Sequence, residues 1–119
     1  MQRDSRLRRR SNFQSAVGGR RFHSGRTLVG FAVPSAGPRT RIGVTVSRAI
    51  KGSVERNRAR RRLRELAREQ FGGVDSPLSQ VGIRYDVVLI ARPAALEVSF
   101  ADLRAEASLA ALRLAKLTP

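Results

Sequence analysis

From Val54 to Gln70 the chain carries apolar residues at Ala59, Leu63, Leu66 and Ala67 beyond Val54 itself, and most intervening positions are arginine. At about 100° per residue those four fall on one narrow stripe. A helix built this way can dock by one edge only, so it needs an apolar surface elsewhere to receive it. Asn57, Arg61, Arg64 and Arg68 form a second stripe at spacings of four, three and four, with Arg56 and Arg60 on one flank and Arg58 on the other. Ser53 offers an N-cap, Glu55 suits the positive end of the helix dipole, and Gly72-Gly73 supplies the stop.

The receiving surface is legible as strands. "TLVGFAVPS" sends Val29, Phe31 and Val33 to one face before Pro34 ends it, and "AGPR" turns the chain. "RIGVTVS" sends Ile42, Val44 and Val46 one way and Arg41, Gly43 and Thr45 the other. "YDVVLIARP" is apolar on both faces from Val87 to Ala91, the pattern of a central strand. "SNFQSAVGG" predicts a short first helix with Ser11 as N-cap and Phe13, Ala16 and Val17 on one face. "SFADLRAEASLAALRLAKL" predicts the last helix, capped by Ser99 and lined by Phe100, Leu103, Ala107, Ala110 and Leu114. "GVDSPLSQVG" reads as a loop, and residues 1–10 as a mobile basic arm. The expectation is one domain over residues 1–119, an α/β (α+β) two-layer sandwich in the order α-β-β-α-β-α with a small central sheet.

Charge narrows the function. Lys and Arg number 24 against 9 Asp and Glu, a net charge of +15, while 41% of residues are hydrophobic. That apolar share calls for a packed core, and a compact domain so charged repels itself unless a polyanion neutralises it. Nucleic acid and an anionic membrane surface are the two candidates. The bland alternative for the arginine helix is a solvated face laced with i,i+4 ion pairs. Only Glu55, Glu65 and Glu69 are at hand as partners, and only Lys51 and Lys116 in the whole chain are lysines. Guanidinium forks fit phosphate oxygens with two bonds, so phosphate-backbone binding is favoured, with DNA and RNA undistinguished by charge.

Catalysis by the polypeptide is not expected. There is no cysteine, the nine acids lie apart, and His23 is the only histidine. A lone histidine near a strand start reads as a surface or hydrogen-bonding residue, and Asp86 as the ion-pair partner of Arg84. No apolar run approaches a membrane span of about 18 residues, and no apolar stretch follows "MQRDSRLRRR" as in a secretory signal. The expected location is the cytoplasm.

"RIGVTVSRAIKGSVERNRARRRLRE", Arg41 to Glu65, resembles the signature of the bacterial ribonuclease P protein subunit. There a strand of the type R-[IV]-G-[LV]-[ST]-V-S leads into a helix carrying R-N-R-x-[KR]-R-x-x-R-[EQ]. Arg56, Asn57, Arg58, Arg60, Arg61, Arg64 and Glu65 match, and "RLRRRSNFQ", "RFHS" and "YDVVLIARP" agree in the right order. The resemblance implies a small subunit that binds a catalytic RNA and the 5′ leader of precursor tRNA, which the RNA removes with Mg2+. It implies a surface of Lys51, Arg56, Asn57, Arg58, Arg60, Arg61, Arg64 and Arg68 facing the catalytic RNA. A cleft between the sheet and the first helix, including Phe13, Val17 and Phe31, would hold the leader.

Mg2+ would be held mainly by RNA, with any protein ligand unassigned and neither membrane nor DNA as partner. The implied fold is ribosomal-protein-S5-domain-2-like, with a left-handed βαβ crossover where the default is right-handed. Two departures stand out. Lys51-Gly52-Ser53-Val54 replaces the usual Gly-Lys-Ala-Val, and Val17 stands where many members carry an aromatic, so stacking rests on Phe13 and Phe31. A ribosomal or RNA-chaperone protein would share the charge and the helix but would not prefer precursor over mature tRNA. A DNA regulator would want more base-reading amides than Asn57 alone, and a membrane-active helix would want large apolar anchors.

Overall fold

Strand Tyr85–Ala91 lies between two others because both its faces are apolar. The computed structural model describes residues 10–117 except 36, 38, 74 and 75. Within them run α1 (Arg10–Val17), β1 (Arg20–Ser24), β2 (Leu28–Pro34), β3 (Arg41–Val46), α2 (Ser53–Gln70), α3 (Pro77–Val81), β4 (Tyr85–Ala91), a 3-10 turn (Pro93–Leu96) and α4 (Phe100–Ala115). The sheet order is β1-β2-β4-β3; β2 runs antiparallel to β1 and β4, whereas β3 and β4 are parallel and joined through α2.

The core follows from alternation along the strands. Leu28, Ala32, Ile42, Val46, Val87, Leu89 and Ala91 face α2 and α4 and meet Leu63, Leu66, Leu103, Ala107 and Leu114 there. Val88 turns the other way and packs with Ala16 of α1, beside Phe13, Val33 and Ile90. The sheet is therefore covered on both faces, fully by α2 and α4 and in part by α1, and the expected two-layer arrangement becomes three. On β2 the expected apolar face of Val29, Phe31 and Val33 is the half-covered one, and Leu28 and Ala32 supply the main core.

Other expectations shift at the element ends. β1 was absent from the expected order: "RRFHS" is a short edge strand with a bulge between Arg21 and His23, which erases its alternation. The segment read as a loop contains α3, capped by Ser76, whose Oγ accepts from Ser79 N, and begun by Pro77. Ser53 is the first helical residue, not the cap; the cap is Gly52 at φ 87°, a backbone conformation that disfavours a side chain, and a Cβ there would strike the Glu55 carboxylate. Ser99 does cap α4, its Oγ accepting from Asp102 N at 3.1 Å. α1 begins at Arg10, one residue before the expected cap Ser11, and the rest of the expected mobile arm lies outside the described residues.

Candidate nucleic-acid interface

The buried residues of α2 are Ala59, Leu63, Leu66 and Ala67, the stripe expected from spacing alone. Docking by that edge leaves the arginines on the outer side, and the local hydrogen bonds sort them into different roles. Arg58 and Arg61 are exposed and make no ion pair or hydrogen bond among the described residues. Val54, Asn57, Arg60, Arg61 and Arg64 line one open concavity along the helix. Within it Arg60 Nη1 donates to Asn57 Oδ1 at 2.8 Å. Guanidinium has no acceptor, so the amide oxygen must face it and the amide nitrogen remains a donor outside this bond.

The glutamates do not neutralise this face. Glu65 Oε1 accepts from Arg68 Nη2 at 2.6 Å, and that bond, with the carboxylate's charge behind it, holds the Arg68 guanidinium above its ordinary pKa. Glu69 pairs with Arg104 of α4 at 3.2 Å. Of the expected RNA-facing set, Arg68 thus arrives already paired. Arg56 is half-buried, and its Nη1 donates to Ser47 O and Ile50 O at 3.1 and 3.0 Å, tying down the loop that carries exposed Lys51. Arg62, outside that set, turns inward: its Nη2 donates to Val98 O at 2.6 Å and its guanidinium lies 6.0 Å from the Phe100 ring centre.

The second surface is the sheet face beneath α1. Phe13 lies on Gly43, so closely that a Cβ at Gly43 would strike its ring. One cross-strand row runs Arg21, Phe31, Val88, Gly43, which places Phe31 and the Phe13 ring on either side of buried Val88. Two strand spacings of about 4.8 Å separate them. Phe13 and Phe31 are each half-buried, and Val17 at the end of α1 is 41% exposed, so it is no part of that helix's buried face. Arg21, opposite Phe31 on the edge strand, is exposed and was not among the residues singled out from sequence; the bulge hid the alternation that would have found it. At the other margin Arg41 grips Asp86 through two bonds, 2.9 and 2.7 Å, which raises the arginine's pKa further. Asp86 is thus paired with Arg41, its parallel neighbour in register, and not with Arg84.

His23 is buried at 3% exposure and ties β1 to α4. Arg113 Nη1 lies 3.0 Å from its Nδ1, and since arginine only donates, Nε2 carries the hydrogen that reaches Glu106 Oε2 at 2.9 Å. Glu106 also accepts from the backbone N–H groups of Thr27 and Leu28 at 3.0 and 3.2 Å. Burial works to raise its pKa, but the bonds from His23, Thr27 and Leu28 together hold it below the ordinary carboxylate value. Nothing in this cluster faces the cleft or the arginine surface: it holds an edge strand in place. Among the described residues no three of His, Cys, Asp and Glu converge as a metal site would require, and no helix is long and apolar enough to cross a membrane.

Comparison with known proteins agrees with this geometry. The family model described as Ribonuclease P matches residues 1–115. A ribonuclease P protein component from Symbiobacterium thermophilum is 38% identical over 105 residues, spanning 87% of this chain and 85% of that protein. One from Acidothermus cellulolyticus is 38% identical over 103 residues, spanning 85% and 80%. The solved RNase P protein from Thermotoga maritima shares the fold at a TM-score of 0.71 with 24% identity, covering 91% of this chain and 96% of that one.

Proposed function

This chain belongs to the bacterial ribonuclease P protein family, and from that premise we propose that its two exposed surfaces divide the work of holding RNA. The chain is the accessory protein component of ribonuclease P, acting with RNA to process precursor tRNA, and is not itself the catalyst. In this reading Lys51 in the loop before α2 and the helix's outer residues Asn57, Arg58, Arg60, Arg61, Arg64 and Arg68 lie on the phosphates of the catalytic RNA. The cleft of Phe13, Val17 and Phe31 takes the single-stranded 5′ leader, with aromatic faces available for unstacked bases. The observation that carries the reading is the helix docked by four sealed residues with Arg58 and Arg61 left unpaired at its surface.

Arg56 acts in this reading from beneath, by holding the Ser47–Ile50 loop, and Arg68 reaches phosphate by exchanging Glu65 for it. In this reading Mg2+ is held mainly by the RNA subunit, with any protein ligand unassigned. The same reading covers one RNA-binding domain over residues 1–119 with a basic arm at 1–10, a cytoplasmic location, and neither DNA nor membrane as partner. A left-handed β3–α2–β4 crossover in a ribosomal-protein-S5-domain-2-like fold also goes with it, against the usual right-handed rule.

Reconstitution tests the reading. Fifteen net positive charges should replace part of the divalent screening between RNA subunit and substrate. Adding the protein to its RNA subunit should therefore shift precursor-tRNA cleavage to lower Mg2+, while protein stripped of RNA should not cleave at any Mg2+ concentration. Cleavage by the RNA-free protein, or an Mg2+ requirement that the protein leaves unmoved, would overturn it.

A further inference from the structure

The concavity on α2 contains one residue that phosphate binding does not explain. Val54 is 73% exposed, the most exposed large apolar side chain among the described residues, and it lines the same hollow as Asn57, Arg60, Arg61 and Arg64. An isolated surface valine is ordinary. This one sits on the first turn of α2, in the open concavity that its arginines line. Phosphate gains nothing from a valine, and a duplex backbone would set hydroxyls and water against it. The flat face of a nucleobase would gain.

Asn57 adds a second element. Its oxygen accepts from Arg60, which leaves the amide nitrogen as a neutral donor on a residue that lines the hollow one turn from Val54. A neutral donor suits the carbonyl or ring nitrogen of a base edge, whereas the phosphate next to it has guanidinium for a partner. Asn57 and Arg61 are separated by about 6 Å of helix rise, comparable to the span from base to phosphate within one nucleotide.

We propose that Val54, Asn57 and Arg61 form a pocket for one unpaired nucleotide of the RNA subunit, its base against Val54, its edge on the Asn57 amide and its phosphate on Arg61. The pocket rests on the reading that α2 faces the RNA. It adds a point of base recognition to a surface otherwise made for charge, and it gives the helix a register on the RNA that phosphate contacts alone do not specify.

Val54→Thr keeps the β-branched shape and exchanges one methyl group for a hydroxyl at an exposed position. Its melting temperature should match wild type. Its dissociation constant for the RNA subunit should rise by about three- to tenfold, the scale of one methyl group lost from an apolar contact. Its log–log salt slope should stay unchanged, because no phosphate contact is lost. Base-specific chemical probing of the RNA subunit should show one unpaired nucleotide protected by wild type and exposed again with Val54→Thr and with Asn57→Ala. Wild-type affinity and footprint for Val54→Thr would overturn the pocket. Arg61→Ala separates the two levels: it should lower the salt slope by about 0.7 to 0.9, and an unchanged slope would remove the RNA-facing reading of α2 and the pocket with it.

Discussion

The same strands build two unlike sheet faces. Toward α2 and α4, Leu28, Ala32, Ile42, Val46, Val87, Leu89 and Ala91 are all sealed from solvent. Toward α1, Val88, Gly43 and the paired Asp86 are sealed, and Val29, Phe31, Val33, Thr45 and Ile90 remain half-covered. The difference follows from the helices: α2 and α4 have 18 and 16 residues, α1 only eight. A short helix over a wide sheet leaves a margin, and in that margin aromatic and apolar groups stay within reach of a ligand. In the proposed reading the sealed face carries the stability, while the half-covered face and the outer side of α2 carry the binding.

The largest test of that division is Leu63→Ala. Leu63 is fully buried where α2 docks on the sheet, and its truncation should cost about 2–5 kcal/mol of folding stability. Thermal or denaturant unfolding would show this as a large drop, whereas Phe31→Ala on the half-covered face should cost much less. Equal losses would break the contrast between the faces.

A smaller effect is expected at Glu106→Gln, which cuts the charged tie from α4 to His23 and the Thr27–Leu28 turn. Losing a charge-assisted acceptor there should cost about 1–3 kcal/mol near neutral pH. The sign with pH is set by the depressed carboxylate. A folded-state pKa below the ordinary 4.5 means stability present above that value and lost as pH falls through the folded pKa. The gap between wild type and variant should thus be open at pH 7 and close as pH falls through the depressed folded-state pKa. Melting curves across that range check it, and a gap that persists in acid would assign the loss to shape, not charge.

Periodicity carried the docking edge of α2, the central place of β4 and the Ser99 cap, because each is a local pattern with one physical solution. It missed β1, where a bulge at Phe22 breaks the alternation, and α3, whose five residues are too few for a helical period. It named the arginines of α2 as a group but could not separate Arg61, left unpaired, from Arg56, bound to two carbonyls across a loop. That distinction depends on where the β3–α2 loop folds back, which no spacing along the helix encodes. Val17 illustrates the same limit: it shares the face of Phe13 and Ala16 on a helical wheel, yet α1 ends before the sheet can cover it. The Arg41–Asp86 pair likewise follows from parallel register between distant strands, where sequence proximity pointed to Arg84.

The division of labour meets its most direct test in the binding of precursor and mature tRNA to the reconstituted holoenzyme carrying Phe31→Ala. Stacking of one unpaired base on an aromatic ring is worth about 1–3 kcal/mol. The variant should fold normally and bind its RNA subunit as wild type does. It should lose about that much affinity for precursor tRNA and none for mature tRNA, which has no leader. Equal weakening for both tRNAs, or undiminished preference for the precursor, would contradict the assignment of the half-covered sheet face to the leader.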